Sequence, residues 1–197
     1  MEESIVIATI YSYEPVIAGA VKLGATRLIL LKDTQPSKEQ EEAIEKARKA
    51  LGEYVKIETI PTSVYDIYQV ASDVVELIDS FSPDAKIYLN VSAGRKTKSL
   101  GLMFAGYARS SRIEKIIYIT KEDQEVVTLP NLAFSLNNKQ RKVLSQFIGQ
   151  KPDRLKEVYK SASISRATLF LMLKEFKRRG LMEQDNNLSA AGKIALL

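Results

Sequence analysis

The chain has 197 residues, with 29 Lys and Arg against 24 Asp and Glu for a net charge of +5, and it contains no Cys, His or Trp. Those absences exclude a disulfide framework, a thiolate nucleophile, a Ser-His-Asp triad and any metal held by cysteine or histidine. Chemistry in this chain must use hydroxyls, carboxylates, Lys, Arg and backbone amides.

In chain order, Met1-Glu2-Glu3-Ser4 is acidic where a signal peptide needs positive charge, and the apolar run behind it is too short to span a bilayer. A soluble, cytoplasmic protein with no membrane partner is expected. Residues 5–10 are nearly all apolar, as in a strand buried on both faces. Pro15 opens a helix that Gly24 ends. Residues 28–31 read as a second buried strand, and 37–51 as a surface helix with Ala43, Ile44, Ala47, Ala50 and Leu51 on one face. Val55, Ile57 and Thr59 alternate with polar neighbours, as near a sheet edge. A helix is expected over 63–80, its stripe being Val64, Ile67, Tyr68, Ala71, Val74, Val75 and Ile78. Residues 87–91 form the fourth strand, and Leu100, Met103, Phe104 and Tyr107 mark the apolar face of the next helix. Residues 116–119 form the fifth strand, and Lys121-Glu122-Asp123 turns into 126–129 as an antiparallel edge hairpin.

This alternation predicts an α/β fold, a Rossmann-like parallel sheet of order 3-2-1-4-5 plus the edge hairpin, within a domain over 1–130. After Pro130-Asn131 the pattern becomes helical, at 138–149, 153–161 and 165–179. Gly180 stops the third helix, a strand pair surrounds the polar turn Asp185-Asn186-Asn187, and Ser189 caps a last turn. Three helices and a wing predict a small C-terminal winged helix-turn-helix domain over 136–197. Charge divides along the same line: residues 1–135 carry a net −3 and residues 136–197 a net +8. A basic second domain points to a polyanionic partner, with double-stranded DNA preferred.

In such a sheet, ligands sit beyond the carboxyl ends of strands one and four, where the strand order reverses. The loops there are Tyr11-Ser12-Tyr13-Glu14 and Ser92-Ala93-Gly94-Arg95-Lys96-Thr97-Lys98. The second runs into a helix N-terminus and offers a hydroxyl, a permissive glycine and three cations, which suits phosphate. It is not a P-loop, because Arg95 and Asn90 stand where that motif needs glycines. Strand one leads into no G-x-G-x-x-G, so dinucleotide-dependent dehydrogenase chemistry is not expected. Tyr11 and Tyr13 either stack on bases or cover the sheet end; the sequence leaves both open.

A Rossmann-like domain with an Asx-x-Ser/Thr-x-Gly-x-Arg/Lys stretch after its fourth strand, followed by a winged helix, resembles the CRISPR-associated Rossmann fold (CARF) regulators. The likeness is closest to the archaeal CARF–winged-helix transcriptional regulators of antiviral defence. Asn90, Ser92, Gly94 and Lys96 carry the motif, and Tyr11 to Glu14 stand at the family's other ligand segment. Many relatives have Asp where this chain has Asn90; an amide keeps the turn-forming hydrogen bonds but removes a charge. The resemblance implies a homodimer that binds a cyclic oligoadenylate, most often cyclic tetra-adenylate, with no cofactor and no metal. The ligand set it implies is Tyr11, Ser12, Tyr13, Glu14, Asn90, Ser92, Ala93, Gly94, Arg95, Lys96 and Lys98. Some CARF proteins are metal-independent ring nucleases, for which Ser12 and Lys96 are the catalytic candidates here; simple binding is the preferred role of Ser12. In that alternative the winged helix serves dimerisation.

In a winged helix the third helix enters the major groove. Ser165, Arg166 and Thr168 would lead it, and Lys174, Lys177 and Arg178 would supply backbone charge. Leu169, Leu173 and Phe176 read as core. Phe170 and Leu171 occupy positions normally polar; they contact either thymine methyls or another protein surface.

Overall fold

The two nearly unbroken apolar runs near the N-terminus, β1 (Ser4–Thr9) and β2 (Arg27–Asp33), pair in parallel in a computed structural model of the protein, with Ile7 opposite Ile29. The structure describes residues 3–132, 136–148, 155–189, 192, 195 and 196. They fall into two compact units, 1–129 and 130–197.

In the first unit β4 (Lys86–Asn90) lies on the other side of β1, with Leu89 opposite Ile7. β3 (Lys56–Thr62) extends the sheet beyond β2, and β5 (Ile113–Ile119) extends it beyond β4, all in parallel. β6 (Val126–Leu129) closes the far edge antiparallel to β5, with Val126 opposite Ile119. The order is β3-β2-β1-β4-β5-β6, the expected Rossmann-like arrangement with its edge hairpin. Ile5, Ile7, Leu28, Leu30, Ile87 and Leu89 are fully buried, as strands covered on both faces require. The hairpin turn is held by the Thr120 hydroxyl, which donates to Asp123 and accepts from the Glu125 amide at 2.8 Å. Lys22 Nζ donates to the Gln124 carbonyl at 2.6 Å and ties the turn to the end of α1.

The helices are α1 (Glu14–Lys22), α2 (Lys38–Leu51), α3 (Ile67–Ser80) and α4 (Lys96–Ala108). Pro15 sits in the first turn of α1, where a missing N–H is tolerated. Ser37 caps α2, which buries Ala43, Ile44, Ala47 and Leu51 as expected, although Ala50 is exposed. α3 begins four residues later than the periodicity predicts. Asp66 is its N-cap and accepts from the Gln69 amide at 2.9 Å, while residues 63–66 connect β3 to it. Its buried positions are Val70, Val74 and Ile78; Tyr68 is exposed.

α4 departs further from expectation. Its large apolar residues Leu100 and Phe104 face outward, and Gly101, Leu102, Ala105, Gly106 and Tyr107 are the buried ones. The reason is a close approach: a Cβ on Gly101 would stand 2.6 Å from Val70 Cγ1 on α3. Small residues bring α4 down on its neighbours; of the predicted stripe Tyr107 is buried, Met103 is half-buried and Leu100 and Phe104 are exposed, because a pattern that looks for large side chains passes over the glycines.

In the second unit α5 (Asn138–Ser145) starts with a capping box between Asn137 and Gln140. α6 (Leu155–Ser161) and α7 (Arg166–Arg178) follow. Val143, Leu144, Val158, Leu169, Leu173 and Phe176 are buried, the last three as predicted. α5 ends earlier than the expected 149, and the expected start of the next helix at 153 lies outside the described residues. The expected strand pair is reduced to one antiparallel bridge, Met182 with Leu188, around a turn in which Asp185 accepts from the Asn187 amide at 3.0 Å. Backbone hydrogen bonds from the Glu183 amide to the Asn187 carbonyl at 2.8 Å and from the Ser189 amide to the Leu181 carbonyl at 3.2 Å hold this short pairing. Ser189 accepts from the Gly192 amide at 3.0 Å, as its capping role predicts. Among the described residues no helix is long and apolar enough to cross a membrane.

Candidate ligand-binding site

Sheet order places the carboxyl ends of β1 and β4 side by side, and Ala8 pairs with Asn90 at that end. Asn90 is fully buried and fastens three elements. Its amide nitrogen donates to the Pro15 carbonyl of α1 at 2.9 Å. Its amide oxygen accepts from the Ser92 amide at 3.1 Å and from the Ser92 hydroxyl. The same hydroxyl accepts from the Ile119 amide of β5 at 2.7 Å. An ionised aspartate has no donor for the Pro15 carbonyl, so the amide is suited to this position in a way a carboxylate is not. Asn90 and Ser92 therefore shape the loop, and Ala93, 2% exposed, packs beneath it.

Gly94 adopts φ +145°, and a Cβ there would lie 2.6 Å from Thr9 Cβ. The chain passes so close to β1 that only glycine fits. Arg95 is the N-cap of α4 and provides no side-chain cap, which leaves first-turn amides and the positive end of the helix dipole available to an anion.

Lys98 points the other way. It is 1% exposed, and its ammonium lies 2.7 Å from Asp33 Oδ1 at the end of β2. The other Asp33 oxygen accepts from Arg95 Nε at 3.1 Å. Gln40 completes the group: its Oε1 accepts from the Asp33 amide at 2.9 Å, and its Nε2 donates to the Ile10 carbonyl at 2.8 Å. Burial would raise the Asp33 carboxyl, but hydrogen bonds from Lys98 and Arg95 outweigh it and hold it below its ordinary value. Burial pulls the Lys98 ammonium down, against the opposing pull of Asp33. The Asp33 hydrogen bond raises Arg95 further. Two cations share one carboxylate, so the cluster keeps a net positive charge, and its exposed member is Arg95.

A cavity of about 420 Å³ opens here, lined by Tyr11, Tyr65, Gly94, Arg95, Lys96 and Thr97. The Arg95 guanidinium sits 5.6 Å from the centre of the Tyr11 ring. Thr97 Oγ1 donates to the Val64 carbonyl at 2.6 Å and anchors α4 to the β3–α3 loop. Of the predicted ligand residues, the structure brings Tyr11, Gly94, Arg95 and Lys96 to this cavity. Ser12, on the loop after β1, and Glu14, the first residue of α1, are exposed without lining it. Tyr13 is half-buried against the core, with Lys46 Nζ 4.8 Å from its ring centre. Sequence reasoning missed Asp33, Gln40 and Tyr65. The only signal for Asp33 is an acid closing a buried apolar strand.

On α7, Ser165 caps the helix: its hydroxyl accepts from the Thr168 amide at 3.0 Å and bonds the Thr168 hydroxyl at 2.8 Å. Lys177 donates to the Gln184 carbonyl at 2.8 Å, and Arg178 grips Glu175 with two bonds. Arg166, 5.6 Å from the Phe170 ring centre, and Lys174 are exposed, as are Phe170 and Leu171.

Residues 5–124 match the family model described as "HFX_2341_N:-like, N-terminal". No curated protein matches the chain. Among solved structures, it is similar to Csm6 of Enterococcus italicus, bound to cyclic hexa-2'-fluoro-hexa-dAMP, at 13% identity and TM-score 0.57, over 90% of this chain and 54% of that one. It is also similar to Can2 of Sulfobacillus thermosulfidooxidans, in complex with cyclic tetra-adenylate, at 13% identity and TM-score 0.53, over 98% of this chain and 64% of that one. Protein VC1899 of Vibrio cholerae matches at 11% identity and TM-score 0.53, with 98% and 64% covered. The chain spans less than two thirds of each of these proteins, and at such identities the likeness shows the fold.

Proposed function

This chain belongs to the HFX_2341_N:-like, N-terminal family, and from that premise we propose that its first unit is a CARF sensor for a cyclic oligoadenylate, with cyclic tetra-adenylate as the ligand. One observation carries the reading: the cavity at the strand-order reversal joins an uncapped helix N-terminus to Arg95 and Lys96, a combination that selects phosphate. One of the similar folds has cyclic tetra-adenylate bound and another cyclic hexa-2'-fluoro-hexa-dAMP.

The proposed sensor is a homodimer. α4 starts at the cavity and leaves Leu100 and Phe104, 42% and 47% exposed, one turn apart on its outer face. An isologous contact through that face would bring two cavities together and match a two-fold symmetric ring. The second unit is proposed to be a winged helix-turn-helix that binds double-stranded DNA, making the protein a transcriptional regulator within a CRISPR system. Its support is the net +8 of residues 136–197 together with Arg166 and Lys174 exposed on α7.

The ring-nuclease alternative keeps the same ligand. Lys96 lines the cavity and Ser12 is exposed nearby; a ribose 2′-hydroxyl attacking the adjacent 3′-phosphate forms a 2′,3′-cyclic phosphate as the P–O bond to the next 5′-oxygen breaks, the 2′-proton ending on that leaving oxygen, and alignment with charge stabilisation carries such a step. Incubating the protein with labelled cyclic tetra-adenylate in EDTA separates the two. Retention of intact ring is expected for the sensor. Linear products that vanish in Lys96→Ala would replace the sensor with a nuclease.

For DNA, a mobility shift against the protein's own promoter region is expected to weaken steeply as salt rises. Arg166→Ala should alter sequence preference, at about 1–3 kcal/mol for a base contact. No shift at low salt would instead make the exposed Phe170 and Leu171 the mark of a protein-interaction module.

A further inference from the structure

Beyond β3 lies a second cavity, of about 550 Å³, and it shares a wall with the first. Tyr65 lines both and is 75% exposed. The chemistry changes across that ring. One side carries Arg95 and Lys96; the other carries Gln69 and Asp73 and no cation. Gln69 Nε2 donates to Asp73 Oδ1 at 2.7 Å, so an amide and a carboxylate stand together on one turn of α3. Thr62 also lines this cavity; it is 1% exposed, and its hydroxyl has no hydrogen-bond partner among the described residues. Buried hydroxyls without partners are rare in proteins.

We infer that this second cavity seats an adenine base of the bound nucleotide, stacked on Tyr65 and read by Gln69 and Asp73. The inference rests on the cyclic oligoadenylate reading above and adds the part of the ligand that the cationic cavity cannot recognise. Phosphate is the same in every nucleotide, so the cations give affinity without base identity. Adenine presents an exocyclic N–H donor beside a ring-nitrogen acceptor, a pattern that a Gln amide matches with two bonds. Asp73 is an acceptor for the exocyclic amine. Gln69 is exposed and can turn its nitrogen from Asp73 to the ring. Hypoxanthine replaces that amine with a carbonyl oxygen, which the Asp73 carboxylate repels. An aromatic face such as Tyr65 stacks with any base, so it supplies affinity while the α3 pair supplies identity.

Calorimetric titration of the full chain with cyclic tetra-adenylate and with cyclic tetra-inosinate tests this. The wild type is expected to prefer the adenylate ring. Tyr65→Ala should weaken both rings by about tenfold or more. Asp73→Asn, whose amide donates to a carbonyl, should shrink the adenylate preference at least fivefold on the order of a lost hydrogen-bond match. Tyr65 is exposed and Asp73 lies outside the buried core, and circular dichroism of both variants should match the wild type. A wild type that binds cyclic tetra-adenylate, with affinity and purine preference unchanged by either substitution, overturns the base seat alone. A wild type that binds neither ring overturns the sensing reading and the base seat with it.

Discussion

Asp33→Ala is expected to lower the stability of the first unit by about 3–5 kcal/mol, measured by urea unfolding, because it strands the Lys98 ammonium at 1% exposure without its counter-ion. Lys98→Met in the same chain should recover most of that loss, since an apolar side chain of similar length asks nothing of its surroundings. Ligand affinity should not recover with it. Arg95 would still lack the carboxylate that fixes its Nε at 3.1 Å. A double variant that regains both stability and affinity would deny Asp33 a positioning role.

The same pair sets an acid sensitivity. Asp33 has a folded-state pKa below its unfolded value, so its contribution is complete above the ordinary carboxylate range, about 3.9. It is lost as pH falls through the lowered folded value. In Asp33→Asn that part of the acid-side slope should disappear from a plot of stability against pH.

Gly94→Ala is the second large effect. The backbone at φ +145° costs an L residue about 1–3 kcal/mol. The new Cβ, 2.6 Å from Thr9 Cβ, adds overpacking of a similar size. Because the loop moves to relieve the clash, cyclic tetra-adenylate affinity should fall by about tenfold or more. Gly24→Ala is the control: φ is +60° but nothing lies within 4 Å of its Cβ. It should cost about 1–2 kcal/mol and leave the ligand bound as in the wild type.

These effects arise from contacts that the sequence shows unevenly. The sheet was legible because β1 and β2 are buried on both faces, and continuous apolar runs are what such strands need. The loop after β4 was legible because topology alone points to the switch point and Gly94 to Lys98 follow it. The orientation of α4 was legible only in Tyr107, and not in the outward-facing Leu100 and Phe104. Periodicity weighs large side chains, whereas Gly101 and Gly106 decide the approach by what they lack. The fate of Lys98 was not legible. Its counter-ion lies 65 positions earlier, and a lysine in a cationic loop looks the same in sequence whether it faces ligand or core. Asn90 was half legible: its turn-forming hydrogen bonds were foreseen, its donation to Pro15 was not. Tyr65 was hidden because the apolar periodicity extends a helix over residues 63–66, where the structure has the loop that presents its ring.

Cyclic oligoadenylate sensing is tested most directly by calorimetric titration of the wild-type chain with cyclic tetra-adenylate in EDTA. Saturable binding of one intact ring per two chains, weakened by Arg95→Ala, is expected. Absence of binding by a protein that is folded by circular dichroism would contradict it.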